Sequence, residues 1–418
     1  MLTFCGLDFG TSNSTIGTSI NKAISLVPLE KNKATIRSAI FCDVETKQWV
    51  FGQEGIDRYL ESVPGRLMMS LKSVLGSSLM DDETLIFNEF ISYTNILSKF
   101  IQYIKSRAES FAGTELSYAV FGRPVHFHDT DPEQDRAAQN TLENIARTIG
   151  FKEVTFQYEP IAAALTYETT LKTEKLALII DMGGGTSDFT VIRLRPDQVS
   201  VDRSSDVLAN AGIHIAGTDF DHKLSLNTVM PLLGMGSLMR GSSSDVEVPS
   251  AYYHDLTTWH MLTHLYNPKT ISHVAAIYAS AHEKKLLERL LDVLKNRSGH
   301  HILYAVENIK QRLSEEEQAC LDLDFIEDKL SEMVTRKLFD QVIQEDLHKI
   351  IDTILHTVSL SGMKPHDISA IFYTGGSTKI PLIRDQINLL FPAAEIIQGD
   401  AFGSVGMGLT IDAERRYK

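Results

Sequence analysis

Residues 179–192 read IIDMGGGTSDFTVI, and residues 6–17 read GLDFGTSNSTIG. Each stretch is an apolar strand that ends in an aspartate, followed by a glycine-rich turn with Thr and Ser, and then by a second strand. One design repeated at the spacing of a domain predicts a duplicated unit whose two copies face one ligand. Two unrelated hairpins are the alternative, but the shared order of Asp, Gly, Thr and Ser favours duplication.

The two turns predict a phosphate site, because glycines let backbone N–H groups approach phosphate oxygens without a Cβ in the way. Asp8 and Asp181 each precede a turn by two residues, and Mg²⁺ takes one or two carboxylates together with phosphate oxygens. We therefore expect Mg²⁺ near Asp8 and Asp181. The expected phosphate-binding residues are Gly10, Thr11, Ser12, Asn13, Gly183, Gly184, Gly185 and Thr186.

Asp188 follows Thr186 by two residues and would point back toward the second turn if residues 187–194 form a strand. In that position the carboxylate would orient or deprotonate an attacking water, with the Thr186 hydroxyl as a further hydrogen-bond partner. The alternative is that Asp188 only closes the turn by accepting hydrogen bonds from backbone amides.

A third glycine motif, TGGSTKIP at 374–381, follows an apolar run that predicts a strand. Open α/β sheets bind ligands at the carboxyl ends of their strands. The motif therefore predicts that an adenine or ribose lies flat against Gly375 and Gly376. A simple strand-to-helix turn with Ser377 as the helix N-cap is the alternative, and it is compatible with the first interpretation.

The chain between these motifs alternates strand and helix, which is typical of α/β proteins. The apolar patterns predict strands at 116–121, 153–157 and 176–181, and helices at 132–149, with Asp131 as the N-cap, and at 160–170. Residues 232–250 are polar and spaced by glycines, which predicts a loop. A length of 418 residues allows more than one core.

Composition excludes several classes of protein. A net charge of −14 argues against a nucleic-acid partner, since phosphates require a basic surface. Three widely spaced cysteines suit a reducing compartment, and the start of the chain lacks the features of a signal peptide. No apolar run approaches the roughly 20 residues of a membrane span. We therefore expect a cytoplasmic protein with no membrane partner.

Taken together, the motifs resemble the nucleotide-binding domain of the seventy-kilodalton heat-shock chaperone family, within the actin-like ATPase superfamily. The likeness extends over nearly the whole chain. The motifs that carry it are GLDFGTSNS (6–14), QYEPIAAALTYE (157–168), IIDMGGGTSDF (179–189), AGTDFD (216–221), ENIKQRLS (307–314) and TGGSTKIP (374–381). The resemblance implies an α/β fold of two lobes, each with a ribonuclease-H-like core, which binds ATP or ADP with Mg²⁺ and hydrolyses ATP slowly.

The resemblance also implies an organisation. Lobe I would comprise residues 1–172, completed by 396–418, and lobe II would comprise residues 173–395. An enlarged outer subdomain would lie at about 222–306. The chain is most similar to the YegD group of chaperone-like proteins, so we expect no peptide-binding domain of its own.

Several residue roles rest on the resemblance alone. Lys72 would contact the γ-phosphate, and Glu159 would sense the nucleotide beside it. Pro124 and Arg136 would relay the nucleotide state to the surface. With Asp181, Thr186 and Asp188, Lys72 and Glu159 form the expected catalytic set. Further nucleotide-binding residues implied are Gly217, Glu307, Lys310, Gln311, Ser314, Gly375, Gly376, Ser377, Lys379 and Asp400.

Two of these positions depart from the family pattern. Gln311 stands where an arginine usually stacks on adenine, which predicts weaker or less selective adenine binding unless Arg312 substitutes. Lys379 replaces the arginine usual after GGST.

Three functions remain open at this point. The first is a chaperone-like ATPase that works with a separate protein client or co-chaperone. The second is a kinase of the same superfamily that moves the γ-phosphate to a sugar or an acid. The third is a protein without catalytic activity, either an actin-like filament or a nucleotide-sensing scaffold. The forms GGGTSDF and GGSTKIP favour the first.

Overall fold

The structure is a computed structural model that describes residues 2–20, 23–128, 131–196, 200, 202–397 and 403–418. Asp400, a predicted nucleotide-binding residue, lies outside the described residues. The fold is mixed α/β, as predicted.

In the first half of the chain, the elements are β1 (Phe4–Phe9), β2 (Asn13–Ile20), β3 (Ala23–Leu26), β4 (Thr35–Arg37), β5 (Ala39–Asp43), β6 (Gln48–Phe51), α1 (Gln53–Leu60), β7 (Gly65–Met69), β8 (Glu83–Ile86), β9 (Glu89–Ser92), α2 (Tyr93–Ala112), β10 (Tyr118–Arg123), α3 (Pro132–Thr148), β11 (Glu153–Tyr158), α4 (Glu159–Glu168), β12 (Lys175–Met182), β13 (Ser187–Leu194) and β14 (Val207–Ile213). In the second half, they are α5 (Gly217–Leu232), β15 (Leu238–Arg240), β16 (Asp245–Glu247), α6 (Ala251–Leu256), α7 (Leu262–Leu265), α8 (Pro268–Ser280), α9 (Lys284–Lys295), α10 (Gly299–Leu313), β17 (Gln318–Asp322), β18 (Ser331–Thr335), α11 (Arg336–Leu360), β19 (Ala370–Thr374), α12 (Pro381–Leu390), β20 (Glu395–Ile397) and α13 (Ser404–Tyr417).

The alternation predicted around residues 116–181 is confirmed. Helix α3 begins where Asp131 caps it, because that carboxylate accepts hydrogen bonds from the backbone N–H groups of Glu133 and Gln134 at 2.9 and 3.0 Å. The expectation that residues 232–250 form only a loop is wrong. Two short strands, β15 and β16, pair within this range in an antiparallel hairpin.

Two sheets share one strand order. The first runs β3-β2-β1-β10-β11, with β4 beside β2, and the second runs β14-β13-β12-β19-β20. In each, three strands form an antiparallel meander and the first of them is also paired in parallel with a later strand. This repeated topology is what the duplication of the two glycine motifs predicts.

Helices α4 and α13 join the two sheets through one apolar core. Ile161 and Ala162 of α4 and Leu409 of α13 are fully buried and pack with Val120 of the first sheet and Ile179 of the second. A second core lies between the first sheet and α2 and α3. The strands that end at the glycine turns therefore rest on packed supports, which favours a rigid site.

The chain divides into two compact units. The first comprises residues 1–214, 352–378 and 386–418, and thus contains both sheets and all three glycine motifs up to Thr378. The second comprises residues 215–351 and 379–385. The predicted lobes are defined by the repeated sequence motifs, whereas these units are defined by compactness. The lobe boundaries therefore remain a prediction.

Candidate functional site

The first glycine turn is held by a network of serine hydroxyls. It links β1 to β2, and Asp8 stands near the end of β1. The Ser38 hydroxyl donates to the carbonyl of Gly10 at 2.7 Å, and the Ser38 backbone N–H donates to the carbonyl of Ser12 at 2.9 Å. Both turn carbonyls are thereby engaged by one residue, which fixes the shape of the turn.

The second turn, residues 183–186, is closed internally and supported by the third motif. The backbone N–H of Gly183 donates to the carbonyl of Thr186 at 3.0 Å, and the Ser377 hydroxyl donates to the carbonyl of Gly183 at 2.8 Å. Gly375 has a φ of +79°, and a Cβ there would overlap the carbonyl of Met182. Only glycine fits where the third motif crosses β12.

The two phosphate turns approach each other within the first compact unit. A Cβ built on Gly184 would lie 2.5 Å from the hydroxyl oxygen of Ser12 in the first turn. Tertiary packing therefore explains the glycine at position 184, because the first turn occupies the space that a side chain there would need. The structure brings together the two motifs that the sequence predicts to face one ligand.

An ion pair lies beside the turns. The Lys72 ammonium is 2.7 Å from Oε1 of Glu159, the first residue of α4, and each side chain is only 12% exposed. The charge interactions of Lys72 extend to Asp8 and Asp181. Desolvation opposes the charge on Lys72, but the attraction of Glu159, Asp8 and Asp181 outweighs it and raises the pKa of Lys72 above its ordinary value.

Both predicted metal-binding carboxyls have raised pKa values. Burial, followed by repulsion from Glu159, raises the pKa of Asp8 from 3.8 to about 8, with Lys72 opposing the rise. The same two causes raise the pKa of Asp181 to about 6, and the hydroxyl of Thr374 and the charge of Lys72 lower it in part. Close burial of carboxyls of like charge disfavours their ionised forms.

The cluster is acidic, but no group of three or more His, Cys, Asp or Glu side chains in the described ranges is arranged to hold a metal ion. Asp8, Asp181 and Glu159 carry three negative charges when ionised, and Lys72 carries one positive charge, so two negative charges are in excess. Carboxylate oxygens are the ligand type that Mg²⁺ prefers, with phosphate oxygens and waters completing its shell. A Mg²⁺ bound by Asp8 and Asp181 would favour their ionised forms, against the burial and the repulsion from Glu159 that raise both pKa values.

Asp188 lies on β13 directly opposite Asp181 in the antiparallel pair β12–β13. Both carboxylates line a small open pocket. Glu159, Pro124 and Thr374 also line it. Of the predicted residues, Asp181, Asp188 and Glu159 thus share one cavity, and Thr186 lies exposed in the turn two residues before Asp188.

The predicted adenosine segment belongs to the second compact unit. On α10, Lys310 donates to Oδ2 of Asp221 at 2.7 Å and to the carbonyl of Gly217 at 2.9 Å, both on α5. The amide of Gln311 donates to Glu307 at 3.1 Å. Ser314 caps the helix and donates to the carbonyl of Lys310 at 3.4 Å. These hydrogen bonds order the segment on α10 and attach it to α5, and its role in binding adenosine stays a prediction.

Arg312 is engaged elsewhere. Its guanidinium donates to both carboxylate oxygens of Glu316, at 3.0 and 2.8 Å. In this structure the guanidinium faces Glu316, and whether Arg312 substitutes for the adenine-stacking arginine implied by the resemblance at position 311 stays a prediction. Lys379 closes a short 3-10 turn, Gly376–Lys379, after the third glycine pair.

Sequence reasoning missed the arginine that contacts Pro124. Arg123 donates to the carbonyl of Pro124 at 3.1 Å and pairs with both oxygens of Asp135. Arg136, which the resemblance singled out, is exposed on α3. The one available signal was the position of Arg123 directly before Pro124. Ser38 and Thr374 were also missed, because isolated hydroxyls are frequent in any sequence.

Paired glycine turns, an acidic cluster with one lysine, and two sheets of the same order define an α/β protein with a candidate nucleotide site. The sequence model of the Hsp70 protein family matches residues 4–230 and 275–413. These ranges make up most of the chain, so the chain belongs to the Hsp70 family. Residues 231–274, which include the β15–β16 hairpin, lie between the matched ranges.

Curated relatives are distant in sequence. The chain is 23% identical over 429 residues to the chaperone protein HscA homolog of Shewanella frigidimarina, which covers 98% of this chain and 58% of the relative. It is also 23% identical over 434 residues to the HscA homolog of Shewanella sediminis, with the same two coverages. The chain thus spans 58% of the length of these relatives.

No helix in the described ranges combines the length and the apolar character needed to cross a bilayer.

Proposed function

We propose that the protein is a chaperone-like ATPase that binds Mg²⁺·ATP at the two glycine turns and hydrolyses it slowly to ADP and phosphate. The observation that carries the proposal is the meeting of both turns beside Asp8, Asp181 and the Lys72–Glu159 pair within one compact unit. Membership of the Hsp70 family and the similarity to HscA chaperones support a chaperone-like role.

The residues divide the work of phosphoryl transfer. The turns supply backbone N–H donors for phosphate oxygens, and Lys72, oriented by Glu159, supplies an ammonium for the charge that develops on the transferred group. Asp188 orients the attacking water and accepts its proton, with the Thr186 hydroxyl as a partner. When bound, Mg²⁺ neutralises phosphate charge and fixes the geometry of the phosphate oxygens.

The slow turnover in this proposal rests on the resemblance of the motifs to the heat-shock chaperone family, in which the nucleotide acts as a switch. A protein that holds nucleotide for long periods is suited to act as a switch. We propose that a separate protein, as client or co-chaperone, reads the nucleotide state.

Two measurements test this function. Phosphate release from Mg²⁺·ATP should be detectable with the purified chain, and it should not increase when sugars or short carboxylic acids are added. Calorimetric titrations with ATP, ADP and GTP should show that binding weakens when EDTA removes Mg²⁺. Strong acceptor-dependent formation of ADP would instead indicate a kinase, and tight ATP binding with no phosphate release would indicate a nucleotide sensor.

Two variants that each neutralise one carboxylate test the site: Asp181→Asn changes the candidate site, and Glu45→Gln is the matched control. The first neutralises a carboxyl of the candidate site and should lower phosphate release by roughly 10² or more, by analogy with the loss of one group that stabilises developing charge. The second neutralises an exposed carboxylate in the turn between β5 and β6 and should leave the rate unchanged. Normal hydrolysis by Asp181→Asn would place the reaction elsewhere.

A further inference from the structure

Helix α4 carries an acid at each end. Glu159, its first residue, pairs with Lys72 at the candidate site, and Glu168, its last, is 3% exposed. Both carboxylate oxygens of Glu168 accept hydrogen bonds from the Arg203 guanidinium, at 2.7 and 2.9 Å. Ten helical residues place the ends of α4 about 13 Å apart. One short helix therefore connects the candidate site to a second charge cluster.

This second cluster, which we call the Arg203 cluster, consists of Glu168, Arg195, Arg203 and Asp206. The Nε of Arg203 donates to Asp206 at 2.5 Å, and the side chains of both residues are 1% exposed. Asp206 also lies 3.3 Å from the Arg195 guanidinium, and the Arg195 backbone N–H donates to Glu168 at 3.2 Å. The planar fork of Arg203 suits this bidentate geometry, which a lysine cannot reproduce.

Helix α4 is packed tightly enough to move as one body. Ile161, Ala162 and Leu165 are at most 1% exposed. Gly408 of α13 lies so close that a Cβ there would overlap the carbonyl of Ala162. Close-packed interiors transmit displacements instead of absorbing them. A shift at Glu168 would therefore reach Glu159.

A second element leads from the Arg203 cluster to the same site. Strand β14 begins at Val207, directly after Asp206, and its residue Gly212 pairs with Asp188 of β13. Five residues of extended chain span about 16 Å. The cluster therefore anchors the near ends of two elements whose far ends carry or contact Glu159 and Asp188.

We propose that Arg203 and Glu168 are positioning residues for the phosphate site. By fixing α4, the Arg203 cluster sets Glu159 against Lys72, and by fixing the start of β14, it holds the strand that lies against Asp188. The proposal rests on the proposed function, because hydrolysis at this site is what the two residues support.

The test compares Arg203→Lys in two backgrounds, the natural chain and Glu159→Gln. Arg203→Lys keeps the positive charge of the cluster but removes the planar guanidinium that binds both oxygens of Glu168. In the natural chain, we expect it to lower kcat roughly 10-fold to 100-fold, as a displacement of about 1 Å at a reacting group does, with a smaller change in KM. In the Glu159→Gln background it should lower kcat by a smaller factor, because the route through α4 is already lost and only the route through β14 and Asp188 remains.

Thermal unfolding separates this role from a merely structural one. Arg203→Lys should lower the unfolding temperature equally in both backgrounds, whereas its effect on kcat should be smaller in the Glu159→Gln background. Glu168→Gln keeps the shape of the side chain and provides a milder variant should Arg203→Lys not fold. Arg289→Lys, in the Arg289–Glu327 pair of the other compact unit, is the control and should keep the natural kcat.

Each outcome has a distinct meaning. Equal losses of kcat in both backgrounds, or a folded Arg203→Lys or Glu168→Gln variant with the natural kcat, would overturn the positioning role and leave the proposed function standing. Absence of phosphate release from the natural chain would overturn both.

Discussion

Two buried charge clusters lie within the same compact unit, and they differ in balance. In the Arg203 cluster, the buried acids Glu168 and Asp206 both contact the Arg203 guanidinium. Asp206 also faces Arg195, which is 38% exposed and lies 3.5 Å from Glu174 as well. At the candidate phosphate site, three carboxyls share one lysine, and the pKa values of Asp8 and Asp181 are raised. At the candidate site, burial and repulsion from Glu159 raise the pKa of Asp8 to about 8, so this carboxyl is mostly protonated near neutral pH, and full ionisation of the cluster needs an added cation. The first arrangement suits a structural support, and the second suits a candidate cation site.

Removing Lys72, the lysine that pairs with Glu159 at the candidate phosphate site, should have the largest effect on phosphate release. Lys72→Met leaves Glu159 without its partner at 2.7 Å and raises the excess negative charge further. We expect phosphate release to fall by roughly 10² or more. We also expect a loss of about 3 kcal/mol in the free energy of unfolding, because breaking a buried pair strands a charge.

The double variant Lys72→Met with Glu159→Gln sharpens this test. It removes both charges, so the free energy of unfolding should recover while phosphate release stays low. The measurements are denaturant titrations and a phosphate-release assay. Recovery of hydrolysis together with stability would mean that Lys72 serves only to balance Glu159.

The next largest effect should be a pH dependence of stability that comes from Asp8 and Asp181 at the candidate phosphate site. Because folding raises the pKa of Asp181 to about 6 and that of Asp8 to about 8, from 3.8, these groups favour the folded state most at low pH. Their contribution to stability is lost as the pH rises through these values. In EDTA, the unfolding temperature should therefore fall as the pH rises from 3.8, the pKa of the unfolded aspartates, to about 8, the pKa of Asp8 in the folded chain.

Adding Mg²⁺ and nucleotide should remove much of this decline, since the cation binds the ionised carboxylates. A chain with both Asp8→Asn and Asp181→Asn should show a flatter pH profile than the natural chain in EDTA. Scanning calorimetry provides both measurements. Identical slopes for the two chains would show that other groups cause the decline.

Breaking the exposed ion pair between Arg312 and Glu316 should have the smallest effect on stability. Arg312 and Glu316 are 41% and 46% exposed, and solvent screens their attraction. We expect Arg312→Ala to leave the unfolding temperature within experimental error. We also expect unchanged ATP affinity, because the guanidinium of Arg312 is turned to Glu316. A marked loss of ATP affinity would show that Arg312 takes the place of the arginine that Gln311 displaces.

Much of the fold could be predicted from the sequence because its signals are local. Buried strands such as β12 read as apolar runs, and the Asp131 cap of α3 is visible in the residues around it. The exception at residues 232–250 is instructive. Strands β15 and β16 have three residues each, too short for a period of two to stand out among polar neighbours.

The candidate site was partly predictable for a different reason. Glycine turns and the aspartates that precede them can be recognised in the sequence. The ion-pair partners of a charged side chain, in contrast, come from distant parts of the chain. Lys72 and Glu159 are 87 residues apart, and nothing near Lys72 in the sequence indicates an ion pair. Arg203 and Glu168 were not singled out in the sequence. They are unusual because they are buried, and burial cannot be inferred from residue type alone.

The amino-acid sequence alone determined the α/β class, the two glycine turns and the acids that precede them, since backbone freedom and strand periodicity depend on neighbouring residues. Only the tertiary structure decided which charges meet and how completely each is balanced. Electrostatic free energy depends on distance and burial, and both arise only when separate segments pack together.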